Sequence, residues 1–212
     1  MAITKKGIMG PFSGKIGPVV GSTWKDIHYI KSRPQKNGKL KTPTPAQLLN
    51  QQKFKFMNDW LEPFYPFFTV GFANLAIGKT ELNVAFKINY NEALYSVGDS
   101  LSIQYEKVCL SRGNLPGLQL LQTQREVNNR IVLLWDANSQ LASYNDQLML
   151  VVYSKALKIA DGVIGLAKRS DGKLDFTFNQ KLDGQTLEVY LSMVSLNRKK
   201  VSDSQYLGRF EP

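Results

Sequence analysis

A chain of 212 residues with 43% hydrophobic and 11% aromatic content holds enough apolar material for one domain or two small ones, which excludes disorder throughout. A single cysteine, Cys109, and a single histidine, His28, exclude an internal disulfide and Cys- or His-based metal clusters. The net charge of +10 is uneven: in residues 1–42, Lys5, Lys6, Lys15, Lys25, Lys31, Arg33, Lys36, Lys39 and Lys41 stand against Asp26 alone, so +8 of it lies there. Such an asymmetry draws a segment to an anionic surface, whether nucleic acid, lipid headgroups or an acidic protein face, or serves as a solubilising tail.

In chain order, the first stretch is Gly-rich and basic, with glycines at 10, 14, 17 and 21 and with Lys15, Trp24, Lys25, Tyr29, Lys31 and Arg33 beside them. It is too charged to form a core alone and reads as an extended arm that packs on something. Lys5 and Lys6 resemble the start of a signal peptide, but no uninterrupted apolar stretch follows, so no signal peptide is expected. Pro43 and Pro45 end the arm. Thr44 as N-cap, Pro45 at the first helical position and Gln47 three residues after Thr44 start a helix. Leu48, Leu49, Gln52, Phe56, Met57, Trp60 and Leu61 share one face of it, and Glu62-Pro63 ends it before the aromatic Phe64–Phe68 segment.

After residue 68 the pattern changes to strands. Thr80–Asn89 alternates Leu82, Val84, Phe86 and Ile88 with polar or small residues and reads as a strand, 91–96 as a short helical turn, and Leu101–Tyr105 and Lys107–Ser111 as further strands. Arg112, Gly113, Leu115, Pro116 and Gly117 form a loop. Arg130–Trp135 and Gln147–Tyr153 are apolar runs suited to buried strands. Asp171-Gly172, between Val163–Ala167 and the alternating Leu174, Phe176 and Phe178, signals a hairpin, and Leu187, Val189, Leu191 and Met193 line one face of another strand. The expected fold is mainly β: a basic N-terminal arm over 1–43, an amphipathic helix with aromatic connector over 44–68, a first β region over 69–124 and a second over 125–212. The strand-rich part resembles a seven-stranded sandwich of the fibronectin III or immunoglobulin kind.

Catalytic signals are weak. Gly10 to Ile16 fails as a phosphate loop: the glycine spacing is one residue short, Ile16 stands where Ser or Thr must hold magnesium, and no buried strand precedes it. His28 lies in the arm and reads as structural, and Cys109, between Val108 and Leu110, as a small buried apolar residue. Asp136, Asp146, Asp161 and Asp171 fall in predicted turns, where Asp bonds the local backbone. No apolar run approaches ~18 residues, so no membrane-spanning helix is expected. Trp24, Tyr29, Lys25, Lys31 and Arg33 interleave rings and cations, which suits base stacking and equally suits addition to a neighbour's sheet edge.

Several segments together resemble a bacterial and bacteriophage family of unknown function. They are Gly14-Lys15-Ile16-Gly17-Pro18-Val19-Val20-Gly21-Ser22-Thr23-Trp24-Lys25, Tyr29–Pro34, Thr44–Gln47, Leu110–Gly117, Asn145-Asp146, Leu150–Tyr153, Arg169–Gly172, Val189–Ser192 and Val201–Gly208. The resemblance spans essentially the whole chain, departs at His28, and implies no catalytic residue, cofactor or metal. Its phage-like setting implies a non-enzymatic virion component (minor capsid, penton, decoration or head-to-tail protein) located in the virion or host cytoplasm. Its partners would be other protein subunits, met through Gly14, Lys15, Gly17, Gly21, Trp24, Lys25, Tyr29, Lys31 and Arg33. A nucleic-acid-binding module using the same arm, and a surface adhesin using loop 112–117, are the alternatives.

Overall fold

The computed structural model describes residues 2–4, 7, 10–33, 42–97, 100–126, 128–137 and 145–212. Lys5, Lys6, Pro34, Lys36, Lys39 and Lys41, which belong to the basic arm, lie outside the described residues. The chain divides into two units, Met1–Pro45 and Ala46–Pro212.

In the first unit the extended arm takes the form of an antiparallel meander. Strands β1 (Ile3–Thr4), β2 (Phe12–Ile16), β3 (Val19–Trp24) and β4 (Ile27–Ser32) lie in that order. Gly17, at φ 55°, and Pro18 turn the chain between β2 and β3. Lys25 and Asp26, at φ 45° and 63°, join β3 to β4 through the doubly left-handed turn whose twist suits a two-residue hairpin.

The second unit is built on a seven-stranded sandwich. Helix α1 (Pro45–Leu61) starts and ends where the capping pattern and Glu62-Pro63 place it. A 3-10 turn leads into α2 (Tyr65–Gly71), then α3 (Glu81–Glu92) and the hairpin β5 (Leu94–Val97) and β6 (Ser100–Ile103). The remaining strands are β7 (Leu120–Glu126), β8 (Arg130–Trp135), β9 (Gln147–Ser154), β10 (Ile159–Lys168), β11 (Lys173–Thr177), β12 (Leu187–Val194) and β13 (Gln205–Phe210). One sheet runs β10-β9-β12-β13 and the other β11-β8-β7. Relative to the constant-type immunoglobulin order, the fourth of the seven strands has moved from the first and second strands' sheet to the edge beside the third, giving a fibronectin III-like arrangement.

Burial explains the composition of each layer. Ile131, Leu133, Trp135, Leu174 and Phe176 of the three-stranded sheet face Leu148, Leu150, Val152, Leu187, Val189, Leu191 and Met193 of the other. The opposite face of the four-stranded sheet, through Met149, Val151, Tyr153, Tyr190 and Val194, packs against Met57, Trp60, Leu61, Phe64, Phe67 and Phe68 of the helical layer. Strands β9 and β12 are thus covered on both sides, which is why their sequences are nearly continuous apolar runs. Leu48 and Leu49, at the start of the α1 stripe, remain exposed, and only Met57, Trp60 and Leu61 of that helix are fully buried.

Four expectations change. Thr80–Asn89 is not a strand: the Thr80 hydroxyl accepts from the Asn83 N–H at 3.1 Å and caps α3. The buried positions, Ala85 and Asn89, are one helical turn apart, so the helical period prevails over the period-two alternation. Residues 91–96 are the end of α3 and the start of β5 rather than a helical turn. Lys107–Ser111 is not a ladder strand; the buried Asn89 side chain imitates one, donating to the Cys109 carbonyl at 2.8 Å and accepting the Cys109 N–H at 2.9 Å. Asp171-Gly172 does not close a hairpin, because β10 pairs with β9 and β11 with β8. The turn chemistry is present, with Asp171 accepting from the Lys168 N–H and Gly172 at φ 68°, but it carries the chain from one sheet to the other.

The Asn89 contacts give a direct test. Asn89→Ala leaves the Cys109 N–H and C=O unpartnered in a dry site, where each orphaned group costs roughly 1–3 kcal/mol. We expect a loss of about 2–4 kcal/mol in urea unfolding, whereas a midpoint equal to wild type would refute the structural role of Asn89.

Candidate functional site

The register of the N-terminal meander sorts the arm residues onto two faces. Trp24 lies opposite Ile27, Ser22 opposite Tyr29, and Val20 opposite both Lys31 and Lys15. Cross-strand partners share a face, so Lys15, Trp24, Tyr29 and Lys31 come together with Val20 and Ile27. Lys25, in the β3–β4 turn, carries its ammonium 5.5 Å from the Trp24 ring centroid, and the Lys31 ammonium is 5.9 Å from the Tyr29 ring centroid. Arg33 follows β4, its N–H donating to the Pro18 carbonyl at 2.7 Å.

The other face holds Ile16, Val19, Ile30, the paired Gly14 and Gly21, and the Thr23 hydroxyl 2.8 Å from His28 Nδ1. Phe12 crosses so close to Gly21 that a Cβ there would meet the Phe12 carbonyl oxygen at 2.2 Å and its ring at 2.6 Å. Gly21 is the one fully buried residue among the described residues of this unit. Trp24, Ile27, Tyr29 and Ile30 stay 42%, 55%, 41% and 68% exposed. The sheet therefore presents apolar and cationic side chains with no core behind them.

The 112–117 loop is built differently: it is fastened along its length. Arg112 makes a two-pronged ion pair with Glu92 on α3, at 3.0 and 2.7 Å. The Gly113 N–H donates to Asp203 at 3.0 Å, and a Cβ on Gly113 would fall 2.3 Å from the Val201 carbonyl oxygen. Leu115 bridges Ser202 in parallel, its N–H donating to the Val201 carbonyl. Pro116 and Gly117 offer their carbonyls to the Arg169 guanidinium at 2.6 and 3.0 Å.

Arg169 itself is fully buried. Its N–H donates to the Asp146 carbonyl at 2.8 Å, and its carbonyl accepts the Trp135 indole N–H at 2.7 Å. Burial lowers the Arg169 pKa and raises that of Asp146, and each charge partly offsets the other's desolvation. Four motif segments far apart in the chain, 110–117, 145–146, 169–172 and 201–208, thus meet in one hydrogen-bonded strap. Arg169, Asn89 and the Val201–Ser204 partners are not marked by local patterning, since their bonds span up to 94 residues; the signal available was polar residues inside apolar stretches.

The joining of these motifs bears on ancestry, and a family model, described as a family of unknown function (DUF6266), matches residues 11–208. The chain belongs to DUF6266. No curated protein and no solved structure matches it. The DUF6266 match takes in both the meander, apart from β1, and the strap. Among the described residues no group of three or more His, Cys, Asp and Glu is placed to hold a metal ion, and no helix is long and apolar enough to cross a membrane.

The strap has an acid limb that can be measured. Its hydrogen bonds to Arg112 hold the Glu92 carboxyl below its ordinary value of 4.5. A depressed folded-state pKa contributes stability above that value, which is lost as pH falls through the folded pKa. Both side chains are over 40% exposed, so the contribution is about 1 kcal/mol at most. Glu92→Gln should lie below wild type in melting temperature at pH 7, and the gap should close as pH falls through the folded-state pKa of Glu92; a gap that does not narrow with acid would refute the ion pair as its cause.

Proposed function

We propose that this DUF6266 chain is a non-enzymatic assembly protein whose N-terminal sheet docks on neighbouring subunits, as a component of a bacteriophage virion such as a minor capsid, penton, decoration or head-to-tail protein. The observation that carries the reading is the meander: Ile16, Trp24, Ile27, Tyr29 and Ile30 are exposed and Gly21 alone is buried among its described residues. A small sheet without a packed face is marginal in water, and clustered exposed apolar groups rimmed by charge mark interaction surfaces. The sandwich, by contrast, has a complete core on both sides of its larger sheet. The virion setting rests on the resemblance of the motifs to bacterial and phage sequences.

A second reading, contact with nucleic acid, is favoured by one feature, the placing of ammonium groups over the Trp24 and Tyr29 rings on one face. That combination stacks bases and neutralises phosphates, and it predicts affinity that falls steeply with salt. An adhesin would need the 112–117 loop free to meet a ligand, and Arg112, Gly113, Pro116 and Gly117 of that loop are bonded within its own unit.

Sedimentation velocity separates the readings. The full chain should self-associate or co-sediment with a neighbouring virion subunit, and the triple variant Trp24→Ser, Ile27→Ser, Tyr29→Ser should keep its circular dichroism and lose that association. The Trp24 anchor alone accounts for roughly 2 kcal/mol or more of binding. A variant that associates like wild type would reject the docking role of this face. Salt-sensitive retention of an oligonucleotide, lost in the lysine variants Lys15→Gln and Lys31→Gln, would move the assignment to the second reading.

A further inference from the structure

A cavity of about 250 Å³ opens on the helical side of the larger sheet, lined by Phe56, Trp60, Leu101, Ile103, Tyr105 and Tyr153, with Asp59, Ser102, Lys155 and Lys158 completing its wall. It lies wholly within the sandwich unit. Four of the lining residues are aromatic and their rings stand at angles: Trp60 and Tyr153 at 73° with centroids 6.2 Å apart, and Tyr105 and Tyr153 at 33°, also 6.2 Å apart. Walls of this kind offer both faces and edges to a flat guest.

The polar groups are few. The Trp60 indole N–H is buried beside the hydroxyls of Tyr105 and Tyr153 and favours their ionised forms slightly. Burial outweighs that effect, pushing Tyr105 up to about 12 and Tyr153 higher, so both remain neutral donors. Lys155 and Lys158 belong to the β9–β10 turn, which the Ser154 hydroxyl closes by accepting the Leu157 N–H and in which Lys158 sits at φ 55°. Among the described residues neither lysine pairs with an acid, and together they outnumber Asp59 in the cavity wall.

We propose that this cavity is a binding site for a small aromatic carboxylate, its ring among Phe56, Trp60, Tyr105 and Tyr153 and its charge met by Lys155 and Lys158. The volume is below the roughly 300–1,000 Å³ of pockets that take drug-sized ligands, which limits the guest to one or two fused rings.

Calorimetric titration of the full chain with 2-naphthoate, 2-naphthalenemethanol and 2-naphthylmethylammonium tests the site. The carboxylate should bind one to one, about tenfold more tightly than the neutral alcohol, and the ammonium more weakly still. The double variant Lys155→Gln, Lys158→Gln changes only exposed residues and should bring the carboxylate to the affinity of the alcohol. Leu101→Trp should fill the cavity and abolish all three. Failure of the wild type to bind the carboxylate, equal affinity for the three compounds, or a carboxylate preference that survives loss of both lysines would overturn the proposal.

Discussion

Strands β9 and β12 have no solvent face. Once two adjacent strands are buried on both sides, each side must be supplied with its own apolar layer, and the rest of the sandwich unit follows from that demand. The three-stranded sheet supplies one layer through Leu133, Trp135 and Phe176, and the helices supply the other through Met57, Phe64 and Phe68. Tyr190 shows how exacting the arrangement is: it is almost fully buried, and its hydroxyl reaches the Tyr105 carbonyl at 2.9 Å. A buried phenol without that acceptor would weaken the layer it completes.

The helical layer needs anchoring to the sheet edge, and the strap provides it. Residues 108–117 run between α2, α3 and the 201–204 segment, with the Arg112 N–H bonded to the Gly71 carbonyl, the Leu110 N–H to the Ser204 hydroxyl and the Ser111 hydroxyl to the Ser202 carbonyl. Arg169 closes the far end from beneath. A buried guanidinium is expensive to desolvate, and it is tolerated here because two loop carbonyls and the nearby Asp146 meet it. These hydrogen-bonded residues therefore serve the fold.

Much of this was legible in the sequence. The α1 boundaries follow from Thr44, Pro45 and Glu62-Pro63, and β8, β9 and β12 follow from apolar runs bounded by turn residues. What misled was locality. The alternation of Leu82, Val84, Phe86 and Ile88 fits two periods, and the Thr80 cap that decides between them is a single hydroxyl. Asp171-Gly172 has correct turn chemistry, but which strand receives the chain depends on pairing with β8, about forty residues earlier. For the candidate site, the sequence shows that rings and cations alternate in residues 15–33. That Lys15, Trp24, Tyr29 and Lys31 share a face depends on the register set by the Gly17-Pro18 and Lys25-Asp26 turns. The cavity beside Trp60 was invisible locally, because its walls come from α1, β6 and the β9–β10 turn.

The two ends of the meander are unequal. Among the described residues, β1 is two residues long and β4 is six, and β4 has β3 as its only ladder partner. A sheet that grows through such edges faces a choice of symmetry. Joining β4 of one copy to β1 of the next would be heterologous, giving a ring where the rotation closes and a filament where it does not. Joining β4 to β4 uses the long edge twice, is self-complementary, and stops at a pair. If assembly runs through the β4 edge in this way, its self-complementarity makes the product a closed two-fold dimer and not a filament.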